Sequence, residues 1–490
     1  MSAVAQADRR SEALAALHAI RPPVIVVAEH ERLVAFEMDA YIQKRQTPMA
    51  AVIPDTEEQV QDIVRALARL GVPVVSRGAG TGISGGATPT ADAVMLVLTR
   101  MRRILSMDAA ARTATVEPGV PNAKVSEAAA PSGLFFAPDP SSQVVSSIGG
   151  NVAENAGGVH CLKYGLTVHN VVALRAIDGE GELLELGGEA LDAPGYDLLA
   201  AMHGSEGNLG VVTRATLRLL ARPETTETVL AAFASVKAGA EAVSAIIGAG
   251  VIPAAIEMMD RVVIDACERY MALGLPKAES LLLVEVDGGA EEAAETLAKV
   301  REILEACGVT EVRVARSDEE RANLWKSRKG AFAALATVMP DYYTLDGTIP
   351  RRALPEVLER IYALGREYGM VIGNVFHAGD GNMHPCIFYD SATPGELERS
   401  EELGGRILEM CIDYGGTITG EHGVGIEKLE AMCLQFRAGE IAAFHDVKHA
   451  FDPTGILNPG KAVPALKRCA EWGGLHVRDG RIPRPDIPRF

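Results

Sequence analysis

The sequence predicts an α+β protein of at least two domains, on three observations. From about residue 72 to 220 short strands are broken by glycine-rich loops; beyond Arg222-Pro223 strands alternate with alanine-rich helices; and 490 residues exceed what one compact core holds.

The first clear element is Thr56-Glu-Glu-Gln59, a capping box opening a helix whose apolar positions Val60, Ile63, Val64, Leu67 and Leu70 keep helical spacing until Gly71. Strands are then expected at Val72 to Ser76, Val94 to Leu98, Thr113 to Val116, Val171 to Ile177, Leu183 to Leu186 and Val211 to Leu219. The second region reads as a strand at Val229 to Phe233, a helix to about Ile247, a strand at Ala255 to Met259, a helix, a strand at Leu281 to Val286 and a helix ending near Cys307. That alternation predicts a sheet with helices on one face, a split βαβ or ferredoxin-like arrangement. The expected domains are residues 1–221, 222–425, and a C-terminal segment, 426–490, that returns to the first domain.

Hydrophobic residues make up 48% and charged residues 23%, as in a folded globular protein. The net charge of −18 disfavours nucleic acid and also repels anionic substrates, so a carboxylate-binding site here must concentrate a local Arg or Lys. Seven scattered cysteines without a C-x-x-C pair fit neither a disulfide framework nor an iron–sulfur cluster, and read as reduced cytoplasmic thiols. Around Asp8-Arg9-Arg10 there is no signal peptide pattern, and no uncharged apolar run reaches the roughly 18 residues of a membrane span.

Two glycine loops carry the first chemical signal. Gly80, Gly82 and Gly85 satisfy G-x-G-x-x-G after a strand, but Pro89 and the strand-like Val94 to Leu98 follow where a Rossmann site needs a helix. One or two glycines would serve a turn; the five between Gly78 and Gly86 argue for a nest of backbone N–H groups that binds phosphate. The second loop, Ser147 to Gly158, sets four glycines and two asparagines among small apolar residues, either a buried loop or a wall for a flat ring.

Ser76 to Ala87, Asp139-Pro-Ser-Ser-Gln143, Ile148 to Gly158 with His160-Cys-Leu-Lys-Tyr-Gly165, and Gly204-Ser-Glu-Gly-Asn-Leu-Gly210 together resemble the FAD-binding domain of vanillyl-alcohol-oxidase-type flavoproteins. The resemblance extends over nearly the whole chain. Within that superfamily it points to the FAD-linked 2-hydroxyacid oxidase/dehydrogenase family, on the side of the large FAD subunits of bacterial glycolate oxidases. It implies a two-lobed FAD-binding domain, completed by the C-terminal segment, and a substrate or cap domain. Arg77, Gly78, Ala79, Gly80, Thr81 and Gly82 would hold the pyrophosphate. Ser147, Gly149, Gly150, Asn151, Ala153, Asn155, Gly157 and Gly158 would line the flavin with Glu206 and Gly210, and Asp139, Val212 and Asn458 would complete the set. Members with covalent flavin carry a His in the first loop; Thr81 and its neighbours offer none, which implies non-covalent FAD.

His377-Ala-Gly-Asp-Gly-Asn-Met-His384 follows a strand-like run from Met370 to Phe376, and Gly420-Glu-His-Gly-Val-Gly425 lies downstream. Two histidines and a glutamate can ligate a divalent metal, yet spacing alone favours an ordinary structural loop. The resemblance implies the metal site: His377, His384 and Glu421 as ligands of Zn, Mn or Fe, and His422 as general base. Asp380 and Asn382 would order the loop or touch flavin and substrate, and Arg328 would bind the substrate carboxylate in a bidentate fork, although its segment also reads as a solvated basic helix face.

The implied reaction is oxidation of a small 2-hydroxy acid by hydride transfer to flavin N5, glycolate to glyoxylate and also D-lactate. Related 2-hydroxyglutarate enzymes place a Lys where Thr344 stands, which favours a monocarboxylate. D-lactate or D-2-hydroxyglutarate dehydrogenase activity is the alternative, and a non-catalytic electron-relay subunit the alternative of another class. With no iron–sulfur or haem motif, the resemblance implies partners, a second FAD subunit and an iron–sulfur subunit, and a cytoplasmic location with peripheral contact at the inner face of the membrane.

Overall fold

The computed structural model describes residues 3–190 and 194–465, so the last part of the expected C-terminal segment, 466–490, lies outside the described residues. The chain divides into two compact units: Met1–Gly157 with Leu166–Ala221 and Glu421–Phe490, and Gly158–Gly165 with Arg222–Gly420. The short stretch Gly158–Gly165, read from sequence with the flavin loop, packs with the second unit, and the chain returns to the first at Glu421, a few residues before the expected 426.

In the first unit a four-stranded sheet orders Ile25–Val27, Ala50–Ile53, Val94–Val97 and Val74–Arg77, the last three parallel. The helix Glu57–Arg69 covers it, opened by the predicted capping box: Thr56 accepts from the Gln59 amide while the Gln59 side chain reaches back. Val60, Ile63, Val64 and Leu67 on that helix are fully buried against the sheet residues Ala50, Val52 and Val94. A second, antiparallel sheet orders Ile104–Asp108, Thr113–Val116, Val211–Arg218, Val171–Ile177 and Leu183–Gly187. Its core holds Ala114, Val116, Leu174, Ala215 and Leu217. Residues 456–458 return to this unit, with the Asn458 amide donating to Val74 and Ile456 accepting from it.

In the second unit the strands Thr225–Phe233, Ala255–Asp260, Ser280–Gly288 and Glu311–Val314 stand in the order fourth, first, third, second, all antiparallel. This is the split βαβ order. Ile372–His377 extends the sheet beside Ala255–Asp260. Helices cover both faces, not one. Val229, Ala231 and Phe233 pack toward the helices Val236–Gly248 and Leu354–Tyr368, whereas Leu230 and Ala232 pack toward Arg261–Met271 and Ala331–Leu335. The unbroken run Leu281-Leu-Leu-Val284 carries the reason: a strand apolar on both sides must be covered on both sides.

Among the described residues no helix is long and apolar enough to cross a membrane. Cys161, Cys267, Cys307, Cys386 and Cys411 carry free thiols. Cys433 departs from the expected reduced state: it is disulfide-bonded.

Candidate active site

In the first unit, the loop after Val74–Arg77 opens no helix, as the downstream strand required, and Arg77 to Ile83 remain partly accessible. Gly80 has φ +72°, in the left-handed region that favours glycine, and a Cβ at Gly78 would lie 2.2 Å from Ser147 Oγ. The first loop is thus seated against the second. Ala79, Thr81 and Gly82 lie in the same partly accessible stretch, and Asp139 is half-buried.

The second loop is in fact a short helix, Ile148–Glu154. Ser147 caps it by accepting from the Gly150 amide, and Asn155, left-handed at φ 53°, ends it while its Oδ1 accepts from Val168. Glycines at 149 and 150 hid the helix, because they lower propensity where the cap supplies the nucleus. Gly149 must be small, since a Cβ there would lie 2.7 Å from the Pro118 side chain.

Both polar atoms of the Asn151 amide are buried without a partner, and so are Ser84 Oγ, Ser146 Oγ and Glu154 Oε2. Buried polar groups normally find partners. A ligand with donors and acceptors fits this wall, and the heteroaromatic ring and polyol chain of FAD offer both.

Behind the wall Glu206, at φ 51°, accepts from the Val424 and Gly425 amides at 2.6 Å each, and its own amide donates to the Ala153 carbonyl. Asn458 donates to the carbonyls of Gly86 and Glu206, and Lys461 donates to Gly86 and to Asn458 Oδ1. Burial pushes the Lys461 ammonium down to about 7 against the opposing pull of Asp39, Glu206 and Glu154, and burial with the Glu206 charge raises Glu154 well above the usual carboxylate range. Gly210 and Val212 are taken up by packing: a Cβ at Gly210 would lie 3.2 Å from the Ile177 carbonyl, and Val212 belongs to the sheet core. Gly157 is buried, and Gly158, at φ 151°, begins the stretch that joins the other unit.

In the second unit the geometry begins with strand register. His377 ends Ile372–His377 directly opposite Glu257 on Ala255–Asp260. Its Nδ1 lies 2.7 Å from Glu257 Oε1, while Arg328 Nε donates to Glu257 Oε2 at 2.5 Å. All three residues are at most 4% exposed. His384 follows the two-residue strand Asn382–Met383, its Nδ1 lies 3.1 Å from the Leu345 carbonyl, and its ring meets that of His377 edge to face at 5.2 Å. A carboxylate and a carbonyl can only accept, so each Nδ1 carries a proton, and in the neutral ring the lone pair is then on Nε2. That donor set fits a divalent metal. Burial raises Glu257, but its contacts with His377 and Arg328 outweigh it and hold the carboxyl below its ordinary range.

Arg328 lies on Asp318–Lys329, a helix capped by Ser317, acidic in its first turn and basic in its last. Lys326 and Lys329 face solvent, whereas Arg328 turns inward, and its Nη2 is buried without a partner. The solvated-face reading therefore holds for the two lysines and not for Arg328. Asn382 is committed to Asp346, its Nδ2 donating to Oδ1 at 2.8 Å, while Asp346 Oδ2 accepts from Thr419 Oγ1 and the Gly420 amide. Gly420 has no room for a side chain: a Cβ would lie 2.1 Å from Asn382 Nδ2. Glu421 and His422 come next in the chain, belong to the first unit, and lie 3.9 Å apart there. Thr344 is half-buried and faces Cys386 across the strand pair.

Sequence reasoning assigned no role to Glu257 or Asp346. A lone acid inside the apolar run Ala254-Ala-Ile-Glu-Met-Met259 was the available signal, since it contradicts its surroundings unless partnered.

Residues 48–187 match the family described as FAD binding domain, and residues 222–462 match that described as FAD linked oxidases, C-terminal domain. The chain is 51% identical over 482 residues to the glycolate oxidase subunit GlcD of Escherichia coli, covering 98% of this chain and 97% of the relative. It is 39% identical to the GlcD subunit of Bacillus subtilis over 88% of this chain and 93% of that one, and 31% identical to the D-lactate dehydrogenase of Archaeoglobus fulgidus over 85% and 91%. Among solved structures, 4-ethylphenol oxidase from Gulosibacter chungangensis superposes with a TM-score of 0.78 at 18% identity, covering 95% of this chain and 98% of the other, which shows a shared fold. With an FAD-binding domain, an FAD-linked oxidase domain and half its residues shared end to end with such proteins, the chain belongs to the FAD-linked oxidase family that includes the GlcD subunits.

Proposed function

We propose that this protein oxidises a small 2-hydroxy acid, glycolate in the first place and D-lactate in the second, and that it does so as the catalytic flavoprotein of a larger complex. The observation that carries the reading is the buried cluster of Arg328, His377 and His384, in which Arg328 and His377 share the Glu257 carboxylate, Arg328 Nη2 has no partner and the two imidazole rings meet at 5.2 Å. The names of the GlcD and D-lactate dehydrogenase relatives support the substrate class.

Bound FAD supplies a two-electron acceptor for the α-hydrogen, and a divalent cation supplies Lewis acidity at the substrate hydroxyl. His377 and His384 would hold that cation through Nε2, with Glu421 as the third ligand. Arg328 would take the substrate carboxylate through its Nη edge, an attraction made strong by burial and by the fork geometry. His422 would accept the hydroxyl proton at a ring nitrogen. Arg77 to Gly82 and the Asn151 wall would hold FAD, non-covalently because no histidine stands in the first loop. Thr344 brings no cation for a second carboxylate, which favours monocarboxylates over 2-hydroxyglutarate.

Anaerobic addition of glycolate should bleach the yellow flavin spectrum, and a spectrum unmoved by both glycolate and D-lactate would overturn the reading. Reoxidation needs a further carrier, because the chain has no iron–sulfur or haem motif. A second FAD subunit and an iron–sulfur subunit at the inner membrane face fit that need, and the word subunit in the relatives' names supports a complex. A relay-only subunit would have no use for the buried Arg328 cluster.

A further inference from the structure

We propose that Glu257 is a positioning residue that fixes two parts of the site at once: one carboxylate oxygen selects the tautomer of His377, and the other aims Arg328. The inference rests on the proposed roles of those two residues and adds what governs them.

Strand register brings the three together. Glu257 and His377 are paired across Ala255–Asp260 and Ile372–His377, so their side chains leave the sheet on the same face. Arg328 reaches the remaining oxygen from the helix Asp318–Lys329. Each partner presents an N–H to the carboxylate, and only a group with two acceptor oxygens can serve both. With Oε1 accepting from Nδ1, the His377 proton is fixed there and the lone pair is fixed on Nε2. With Oε2 accepting from Arg328 Nε, the guanidinium is held by one side and its Nη2 is left as the edge with an unmet donor. The pair is also charge-balanced in a place where a lone charge would be costly, the two side chains being 3% and 1% exposed.

A Glu257→Gln substitution separates these duties. Its amide has one acceptor oxygen and one donor nitrogen. Arg328 can only donate, so the oxygen must face Arg328 and the NH2 group must face His377. Both contacts survive if the His377 proton moves from Nδ1 to Nε2. The lone pair a metal requires is then turned away from its position, while the aim of Arg328 is retained. Loss of such an outer partner typically weakens metal binding about 10–100-fold.

The test uses FAD-loaded, chelator-treated protein with 15N-histidine, the His377 ring signals being assigned by their loss in His377→Gln. The wild-type protein should carry the proton on Nδ1 and the Glu257→Gln variant on Nε2. Zn2+ titration should show about 10–100-fold weaker binding by the variant, with a smaller change in KM for glycolate. Glu285→Gln, which alters a similarly buried carboxylate on the neighbouring strand bound to His160, Thr228 and Trp325, should leave the His377 signals and Zn2+ affinity as in wild type. An unchanged His377 tautomer in Glu257→Gln overturns the proposal. A tautomer that moves in a protein whose wild type binds neither Zn2+, Mn2+ nor Fe2+ upholds the role of Glu257 and overturns the metal instead. Should the Gln variant not fold, Glu257→Asp keeps the charge but withdraws it by one methylene; it should lose one of the two contacts and raise KM or weaken Zn2+ binding, and a wild-type value for both overturns the proposal.

Discussion

Arg328 illustrates how a single side chain acquires its proposed role from its surroundings. Three cations crowd the last turn of Asp318–Lys329, and only the one facing the sheet meets Glu257. A lysine there would keep the charge and lose the planar fork. Arg328→Lys is therefore expected to lower kcat/KM for glycolate about 10²-fold, roughly 2.7 kcal/mol of transition-state binding, with FAD retained. Steady-state kinetics beside the flavin spectrum checks this, and a kcat/KM within twofold of wild type would remove Arg328 from the site. His422 is tested differently. If it accepts the hydroxyl proton, His422→Ala should lower kcat by about 10²–10⁴-fold while the protein stays yellow, and undiminished turnover of the assembled complex would favour an electron-relay role.

At the scale of elements, the site depends on where glycine lets the backbone pass. The Asp346 carboxylate gathers Asn382, Thr419 and Gly420, and the approach is so close that a Cβ on Gly420 would fall 2.1 Å from the Asn382 amide nitrogen. Gly420→Ala is expected to destabilise the second unit by about 1–3 kcal/mol and to reduce turnover more than FAD content, because it shifts the segment leading into Glu421-His422. Thermal melting and flavin content of the variant measure the two effects. The elements themselves were largely legible. The helix Glu57–Arg69 announced itself by its capping box and spacing, and the strands from Thr113 to Phe233 by β-branched runs between glycines. The helix Ile148–Glu154 was hidden because its glycines mimic a loop and its cap is a single serine. Helices on both faces of the second sheet were missed because alternation of elements says nothing about which face each one covers, whereas the apolar run at Leu281 did.

For the whole molecule, charge and thiol chemistry set the response to pH. Burial pushes the thiols of Cys386 and Cys411 up to about 12 and that of Cys267 to about 11, all three in the second unit. Their folded values lie above the roughly 8.5 of an unfolded thiol, so the folded state keeps protons that the unfolded chain releases. Their contribution to stability is whole below about pH 8.5 and is lost as pH rises towards 11–12, at up to about 1.4 kcal/mol per pH unit for each thiol. Denaturant melts from pH 8 to 10 should show that decline. In the native protein at pH 8.5 iodoacetamide should modify the partly exposed Cys161 and Cys307 and spare the other three; rapid labelling of Cys386 would contradict its burial. The net charge of −18 had already required that any anion site gather cationic donors locally inside a negative field; the buried Arg328 is the candidate, its charge balanced by Glu257 and its Nη2 donor unmet. The sequence by itself determined the fold class and the flavin family, because these depend on local periodicity, backbone freedom and short-range motifs. Only the tertiary structure decided that Glu257 joins His377 to Arg328 and that Asp346 holds Asn382 to Gly420, because those contacts arise from strand register and chain return between residues as many as 120 positions apart.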